Sequence, residues 1–212
     1  MFTIKSFVFS PIQENTYVLY NENKECLVVD PGCYFDGEKD RLQSFIDKSG
    51  LRPVKLLNTH CHLDHVFGNK FIHEEYGLLL HLHEKEKKVL EFAPASGLMW
   101  NMPFDNYQGE FILMKEGDII KLGEDELKVI EAPGHSPGHV CFYCAKQHFI
   151  IGGDVLFQRS MGRTDLPGGN YDTLINSIRT KLFVLPDETV VYSGHGEPTT
   201  IGEEKRSNPF LN

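Results

Sequence analysis

A dense group of metal-ligand side chains follows a strand-like stretch in the first third of the chain, and it constrains the fold more than any other feature. The heptapeptide THCHLDH comes directly after the apolar run Val54 to Leu57, which is typical of a buried strand. Residues i and i+2 of an extended backbone point to the same side, so His60 and His62 can offer their imidazoles to one ion. Asp64 and His65 come after the chain has turned, and they can face a second ion.

The ligand types in this heptapeptide indicate the kind of metal site. So many imidazoles and carboxylates would be costly to bury together unless a cation compensated them. Mixed histidine and aspartate ligation, without a suitably placed cysteine pair, suits Zn²⁺, Fe or Mn²⁺ better than a sulfur-rich structural zinc site. The heptapeptide therefore predicts a metal centre that performs chemistry.

Three further polar residues lie among glycines where predicted strands end. They are His135 in APGHSPGH, Asp154 in IGGDVLF and His195 in YSGHGEP. The neighbouring glycines and prolines let the backbone turn sharply, so that these side chains can project at the edge of a sheet. Each residue taken alone is explained by an ordinary turn, but their recurrence predicts further ligands.

Strand patterns alternate with helical patterns along the whole chain. The predicted strands are Phe2 to Phe9, Thr16 to Tyr20, Cys26 to Val29, Val54 to Leu57, Leu78 to Leu82, Phe111 to Met114, Asp118 to Leu122, Glu126 to Ile130, Val140 to Cys144, Phe149 to Ile151 and Thr189 to Tyr192. The predicted helices are Arg41 to Lys48, His65 to Tyr76, Glu84 to Glu91 and Tyr171 to Leu182. Two strand-rich halves with helices predict an α/β fold of two sheets packed face to face with helices outside. With 212 residues, of which 41% are hydrophobic, we expect one domain over residues 1–212.

Residues 92 to 110 show no steady period and are predicted to form an irregular loop. They contain the only tryptophan of the chain, Trp100, together with two methionines and several aromatic residues. Long irregular segments within compact domains are often functional lids. A surface loop held on the core by Trp100 explains the pattern equally well, and both interpretations stay open.

The charge balance argues against nucleic acid as the main partner. The chain has 21 Lys and Arg residues against 30 Asp and Glu residues, a net charge of −9. Binding to a phosphate backbone depends on clustered positive charge. We therefore expect the partner to be a small molecule.

The sequence also indicates where the protein resides. No apolar stretch approaches the length that spans a bilayer, and the N-terminal residues lack the apolar segment and cleavage site of a signal peptide. The five cysteines form no even framework. We expect a cytoplasmic protein without disulfides or a membrane partner, and the oligomeric state stays open.

The ordered set of motifs resembles a known family. THCHLDH, the first histidine of APGHSPGH, the aspartate of GGD and the histidine of SGH match the ligand set of the metallo-β-lactamase superfamily, and they span most of the chain. The segments GRTDLPGG at 162–169 and GHGEPTTIGEEKRSNPF at 194–210 are similar to the short, bacterial branch of the hydroxyacylglutathione hydrolases, or glyoxalase II-like proteins. This resemblance implies the metallo-β-lactamase fold, an αββα sandwich of two mixed β-sheets with helices on the outer faces.

The same resemblance implies a role for each candidate ligand. By it, the ligands of one metal are His60, His62 and His135. The ligands of the other metal are Asp64, His65 and His195, and Asp154 bridges the two ions. Asp64 and Asp154 are then the carboxylates of the catalytic centre, and Asp64 would serve as a general base if the second metal were absent.

Other residues near these motifs have weaker assignments. Arg163 and Asp165 in GRTD are expected to pair and hold the loop near Asp154, and Arg163 is a hypothetical substrate contact. Asn15 in ENTY is either a second substrate contact or a turn-forming residue. His139 is expected to be structural or to orient a ligand, because the family's ligand position corresponds to His135.

The implied chemistry is hydrolysis at two divalent metal ions, most simply Zn, with Fe or Mn as alternatives. Hydroxide held by the metals can attack an acyl carbonyl, because bound water loses its proton near neutral pH. The metals also stabilise the developing oxyanion. A thiolate leaves without strong acid help, since the free thiol has a pKa of about 8.5. A thioester such as S-lactoylglutathione, or a related acyl-thiol, is therefore the expected substrate.

Two other functions remain possible from the sequence. Persulfide dioxygenases, which are oxidoreductases, have this fold and a related GRTD segment, but they use one iron at the positions of His60, His135 and Asp154. Metal stoichiometry and oxygen uptake separate them from hydrolases. The other alternative is a non-catalytic, metal-stabilised binding domain, in which His62→Ala would lower stability with no activity to lose.

Overall fold

A computed structural model describes residues 1–211 of the chain. The strands are β1 Thr3–Phe9, β2 Glu14–Tyr20, β3 Glu25–Val29, β4 Arg52–Leu57, β5 Leu80–His83, β6 Phe111–Met114, β7 Ile119–Leu122, β8 Asp125–Glu131, β9 Val140–Cys144, β10 Phe149–Gly153, β11 Leu156–Phe157, β12 Ser160–Met161, β13 Val190–Ser193 and β14 Thr199–Thr200. The α-helices are α1 Asp36–Lys48, α2 Leu63–Val66, α3 Asn69–Tyr76, α4 Lys87–Met99, α5 Tyr171–Ser177 and α6 Ile201–Ser207. A 3₁₀ turn, Glu84–Glu86, precedes α4, and a π-helical turn, Ile178–Leu182, follows α5.

The strands form two mixed six-stranded sheets and a small hairpin of β11 and β12. The first sheet has the order β1-β2-β3-β4-β5-β6, antiparallel up to β3 and parallel from β3 to β6. The second has the order β14-β13-β10-β9-β8-β7 and is antiparallel except where β10 and β13 run parallel. The predicted class of two mixed sheets is therefore confirmed.

The two sheets pack against each other through apolar side chains. Leu27 and Leu57 from the first sheet share a fully buried cluster with Val129 and Phe142 from the second. Along β8 buried and exposed residues alternate, as expected for a strand with one face in a core. Burial of these side chains supplies the main attraction between the sheets.

Helices cover the outer faces of both sheets. On the first sheet, Leu42 and Ile46 of α1 pack in a second cluster with Leu56 of β4. On the second sheet, Leu174 of α5 packs in a third cluster with Ile150 of β10. The layers therefore follow the predicted order of helix, sheet, sheet and helix. Within residues 1–211 every helix is too short or too polar to cross a bilayer.

The predicted irregular loop over residues 92 to 110 is wrong for its first half. Helix α4 continues to Met99 and passes through Pro94. Proline cannot donate a backbone hydrogen bond to the carbonyl one turn earlier, and here the Asn106 side chain donates to the Leu90 carbonyl at 2.7 Å. A side chain from the following loop thus provides the hydrogen bond that Pro94 cannot donate to the Leu90 carbonyl. Trp100 is 54% exposed, so it does not hold this segment on the core.

The predicted helix over residues 65 to 76 is divided into α2 and α3 at Gly68. The Gly68 N–H donates to the Pro31 carbonyl at 2.7 Å. A β-carbon at this position would lie 2.4 Å from the Cys33 Sγ, so only glycine allows this close approach. The resulting turn separates the ligand-bearing helix α2 from α3. The sequence prediction also missed the short strands β11, β12 and β14 and helix α6.

Candidate metal centre

The seven predicted ligands lie together where strands of both sheets end. In the second sheet β8, β10 and β13 run in the same direction, so their carboxyl ends meet at one edge. His135 follows β8, Asp154 follows β10 and His195 follows β13. From the first sheet the segment after β4 carries His60 and leads directly into α2. The sandwich therefore brings ligands from four separate parts of the chain to one place.

The first group of ligand atoms comes from three histidines. One ring nitrogen from each of His60, His62 and His135 lies within 4.8 Å of the other two. The Nδ1 of His62 is 2.8 Å from the Nε2 of His135, which is 3.2 Å from the Nε2 of His60. Three lone-pair nitrogens that converge in this way can hold one metal ion.

The second group combines a carboxylate with two histidines. Ligand atoms of Asp64, His65 and His195 lie within 4.8 Å of one another. The Oδ2 of Asp64 is 3.2 Å from the Nε2 of His195 and 3.7 Å from the Nε2 of His65. This nitrogen and oxygen set can hold a second metal ion.

Asp154 lies between the two groups. Its Oδ1 is 3.4 Å from the Nε2 of His65, and its Oδ2 is 3.5 Å from the Nε2 atoms of both His135 and His195. The carboxylate therefore reaches ligands of both groups, as a bridging ligand must.

In His135 and His195, the ring nitrogen that points away from the centre donates a hydrogen bond to a backbone carbonyl oxygen. The Nδ1 of His135 donates to the Arg163 carbonyl at 2.7 Å, and the Nδ1 of His195 donates to the Gln13 carbonyl at 3.1 Å. A carbonyl oxygen only accepts, so each ring carries its proton on Nδ1 and directs the lone pair of Nε2 at the centre. The rings are thus oriented as ligands.

Asp30 orients a further histidine, and the sequence prediction missed it. Its carboxylate accepts hydrogen bonds from the Thr59 N–H at 2.7 Å, the Thr59 hydroxyl at 2.6 Å and the Nδ1 of His65 at 3.1 Å. These donors occupy the oxygens of Asp30, so it positions His65 and leaves metal binding to other groups. The sequence patterns assigned no role to Asp30. A usable signal was that Asp30 directly follows a buried strand.

The electrostatics of the centre indicate a cation between the groups. Burial lowers the pKa of His65, but the Asp154 and Asp64 carboxylates outweigh it and raise this pKa well above its ordinary value. Burial, followed by the neighbouring His135, lowers the pKa of His62 to about 3. The Nε2 of His65 and the Oδ1 of Asp154 are buried without a hydrogen-bond partner. A divalent cation would satisfy both atoms, so the donor set fits a metal.

Asp64 and Asp154 stay ionised in this environment. Burial is the largest single effect and raises the pKa of each carboxyl, but the neighbouring histidines, led by His65 and His195, together outweigh it and lower both pKa values. Ionised carboxylates are the form that binds a metal.

His139 supports the centre without pointing at it as a ligand. It is fully buried, its Nε2 accepts the Asp154 N–H at 3.0 Å, and its ring stacks on that of His60 at 4.8 Å. This agrees with the orienting role expected from the sequence.

The two residues predicted to contact substrate lie in different surroundings. Arg163 lines the cavity at the centre, and its guanidinium makes two 2.7 Å hydrogen bonds to Asp165, as expected. Asn15 is 5% exposed and donates to the carbonyls of Ser193 at 3.0 Å and Gly196 at 2.8 Å. It lies in β2 and supports the His195 loop, so the expectation of a turn is corrected, while the substrate contact stays a prediction.

A cavity of about 350 Å³ opens over the metal centre. Its floor includes His62, Asp64 and Asp154, and its walls include Trp100 and Phe157. Apolar walls around a few polar groups are typical of small-molecule sites. The middle of the segment 92 to 110 thus contributes to the cavity wall through Trp100.

A buried glutamate joins the two loops that carry the first ligand group. Glu86 is fully buried. Its Oε2 accepts the Cys61 N–H at 2.8 Å, and its Oε1 accepts the Ser136 hydroxyl at 2.6 Å and the Gly138 N–H at 2.7 Å. Burial raises the pKa of Glu86, while these hydrogen bonds stabilise its charged form. The sequence predicted only a helix over Glu84 to Glu91 here, because the partners of Glu86 are distant in the chain.

Glu86→Gln is expected to weaken metal binding. Glutamine has one acceptor oxygen, so its amide NH₂ would face either the Cys61 N–H or the donors at Ser136 and Gly138. We expect the zinc dissociation constant to rise about 10- to 100-fold, as for other residues that orient ligands. Competition with a chromophoric chelator measures it. The exposed Glu84→Gln is the matched control, and equal zinc affinity in both variants would refute the bracing role.

Comparisons with known proteins agree with this geometry. The model of the family described as the Metallo-beta-lactamase superfamily matches residues 10–195. The chain is 40% identical to the hydroxyacylglutathione hydrolase GloC of Haemophilus influenzae over 202 residues, covering 94% of this chain and 93% of that relative. It resembles the crystal structure of the BLEG-1 B3 metallo-beta-lactamase, with a TM-score of 0.90, 39% identity and coverage of 99% and 100% of the two chains. The crystal structure of TTHA1623 in a di-iron-bound form gives a TM-score of 0.88 and 35% identity, covering 98% of this chain and 100% of that one.

Proposed function

Because the chain belongs to the metallo-beta-lactamase superfamily and is a metallo-hydrolase of it, we propose that it hydrolyses thioesters at a centre of two divalent metal ions. S-lactoylglutathione and related acyl-thiols are the proposed substrates, and zinc is the proposed metal, with iron or manganese as alternatives. The observation that carries the proposal is the pair of ligand groups with Asp154 between them.

The residues of the chain divide the work of the reaction. The histidines of the first group, His60, His62 and His135, would hold one metal. Asp64, His65 and His195 would hold the other, with Asp154 shared. When bound, the metals supply an activated water and a Lewis acid for the acyl carbonyl.

Other roles of the side chains are to orient the attacking water and to limit the access of solvent to the centre. The ionised Asp154 carboxylate can accept a hydrogen bond from the attacking water and so orient it toward the substrate. The aromatic side chains of Trp100 and Phe157 line the approach and reduce access of bulk water. A thiolate departs without a proton, because the pKa of a free thiol is only about 8.5.

The similar proteins support hydrolysis over the dioxygenase alternative. The ligand positions do not separate the two functions, because both kinds of enzyme can retain all seven. A relative with 40% identity, however, is a hydroxyacylglutathione hydrolase, and a structural relative with 35% identity binds two irons.

A metal analysis combined with a substrate panel tests this function. Protein purified without added metal is analysed for metal content and assayed with S-lactoylglutathione, glutathione persulfide and a chromogenic β-lactam. We expect thioester hydrolysis that is lost on chelation and restored by zinc, with about two metals per active chain. Oxygen uptake on the persulfide with one iron would favour the dioxygenase. Turnover that survives complete metal removal would refute every catalytic version.

A further inference from the structure

A second and larger cavity lies beside the cavity of the metal centre. Its volume is about 550 Å³, and it runs between helix α4 and the loop that follows Arg163. His62, Leu63, Ser96 and Leu166 line both cavities, so the two lie side by side along one face of the molecule. A bound molecule that spans His62 and Leu63 would therefore occupy both.

This second cavity, which we call the basic groove, has apolar walls and a basic end. Val89, Phe92 and Ala93 of α4 contribute apolar surface. Lys85 and Lys88 line the groove, and three-residue spacing on a helical segment places them on one face. Glu84 also lines it, so the basic side chains outnumber the acidic one.

The two lysines have no acidic partner within the described part of the chain. Among the described residues, the lysines that form ion pairs are Lys39, Lys70, Lys181 and Lys205. Lys85 and Lys88 are exposed and are not among them. What distinguishes Lys85 and Lys88 from the other unpaired lysines is their position, because both line an apolar cavity that adjoins the metal centre, where an anionic group would meet two positive charges.

The basic side chain that lines the neighbouring cavity already has an acidic partner. Arg163 there is held by Asp165 through two 2.7 Å hydrogen bonds. An anionic end of a substrate would therefore be attracted more strongly to Lys85 and Lys88 than to Arg163.

We propose that the basic groove binds the thiol part of the thioester substrate, with Lys85 and Lys88 contacting an anionic group at its far end. This inference rests on the proposed function. The acyl part would lie over the metal centre, and the sulfur would lie near His62 and Leu63, where the cavities meet. Water adds its oxygen to the acyl carbon and releases a proton to the solvent, the carbon–sulfur bond breaks, and the thiolate leaves with the electron pair along the groove.

The occupant is an extended thiol that carries carboxylate or phosphate groups. A peptide thiol and a nucleotide-bearing thiol share this chemistry, and substrates that differ in their thiol part distinguish them. A short neutral thiol would fill only the part of the groove near Leu63.

Three thioesters with the same acyl group test the assignment. They are S-lactoylglutathione, lactoyl-coenzyme A and S-lactoyl-N-acetylcysteamine, of which the last has a short neutral thiol. We expect the double variant Lys85→Glu and Lys88→Glu to raise KM about tenfold for one of the two anionic substrates, with little change in kcat. Hydrolysis of the neutral substrate should stay as in the unmodified protein.

The matched control is the double variant Lys128→Glu and Lys146→Glu, which changes charge equally at exposed lysines outside the groove. It should leave all three KM values unchanged. Equal losses on the neutral and anionic substrates, or no loss on any, would overturn the assignment. An equal effect of the control variant would also overturn it, because it would show a general charge effect.

Calorimetric titration with the free thiols separates this inference from the proposed function. If the unmodified protein hydrolyses none of the thioesters, the proposed function fails. In that case the basic groove would still be supported as a binding site if glutathione or coenzyme A binds the unmodified protein. The same thiol should then bind the double variant Lys85→Glu and Lys88→Glu about tenfold more weakly. If neither free thiol binds the unmodified protein, the groove assignment fails, even if the protein hydrolyses the thioesters selectively.

Discussion

Asp154→Asn is expected to lower thioester turnover about 1,000-fold, because it removes the one carboxylate that reaches both ligand groups. Asparagine has the same shape but carries no charge, and its amide NH₂ would face histidine nitrogens or a metal. Asp154 is one of the carboxylates that raise the pKa of His65, so the variant also weakens the electrostatic attraction of the centre for a cation. Steady-state kinetics with S-lactoylglutathione and metal analysis of the same preparation measure both effects.

The matched control for this prediction is Asp187→Asn. Asp187 is an exposed carboxylate that pairs with Lys205, so its loss removes one charge away from the centre. Circular dichroism should give the same secondary structure for both variants. An Asp154→Asn protein that keeps more than about a tenth of the turnover would contradict the bridging role.

Gly194→Ala is expected to have the second largest effect, since it places a methyl group inside the centre. The added β-carbon would lie 2.1 Å from the Oδ1 of Asp154 and 2.8 Å from the Cε1 of His65. The backbone cannot easily yield, because the Gly194 N–H donates to the Gly153 carbonyl at 2.8 Å and its carbonyl accepts the Asn15 N–H at 2.7 Å. Asp154 must therefore move.

We expect Gly194→Ala to lower turnover at least about 100-fold and to destabilise the fold by about 1–3 kcal/mol, the usual cost of overpacking. Metal analysis, kinetics and urea unfolding measure these changes. Gly37→Ala is the control, because its added β-carbon meets nothing within 4 Å, and it should leave turnover unchanged. Full metal content and normal turnover in Gly194→Ala would contradict the geometry of the centre.

These variants differ in what they remove from the centre. Asp154→Asn removes a charge and keeps the shape, whereas Gly194→Ala keeps every charge and changes the shape. Glu86→Gln leaves all ligands intact and loosens the loops that carry His60 and His135. Comparison of their metal content therefore separates ligation, packing and loop positioning.

The local structure was predictable wherever short-range patterns decide it. Alternating apolar residues identified strands such as β8, since one face of a strand enters a core. The first half of the segment 92 to 110 was predicted wrongly as a loop, because it shows no steady period, and it contains Pro94, a residue that ordinarily ends a helix. Helix α4 continues past it since Asn106, from the loop that follows, donates to the free carbonyl of Leu90. Twelve or more residues separate Asn106 from the break, too far for a local pattern to reveal.

The sequence by itself identified the candidate ligands, because ligand spacing and turn glycines at strand ends are local features that need no knowledge of packing. Apart from His139, only the tertiary structure identified the residues that hold those ligands in place. Glu86 and Ser136 are 50 positions apart, and Asn15 and Ser193 are 178 apart. Such pairs meet because the two sheets stack and the parallel strands end at one edge. A buried carboxylate finds its donors only after that packing, so its role cannot be recognised along the chain.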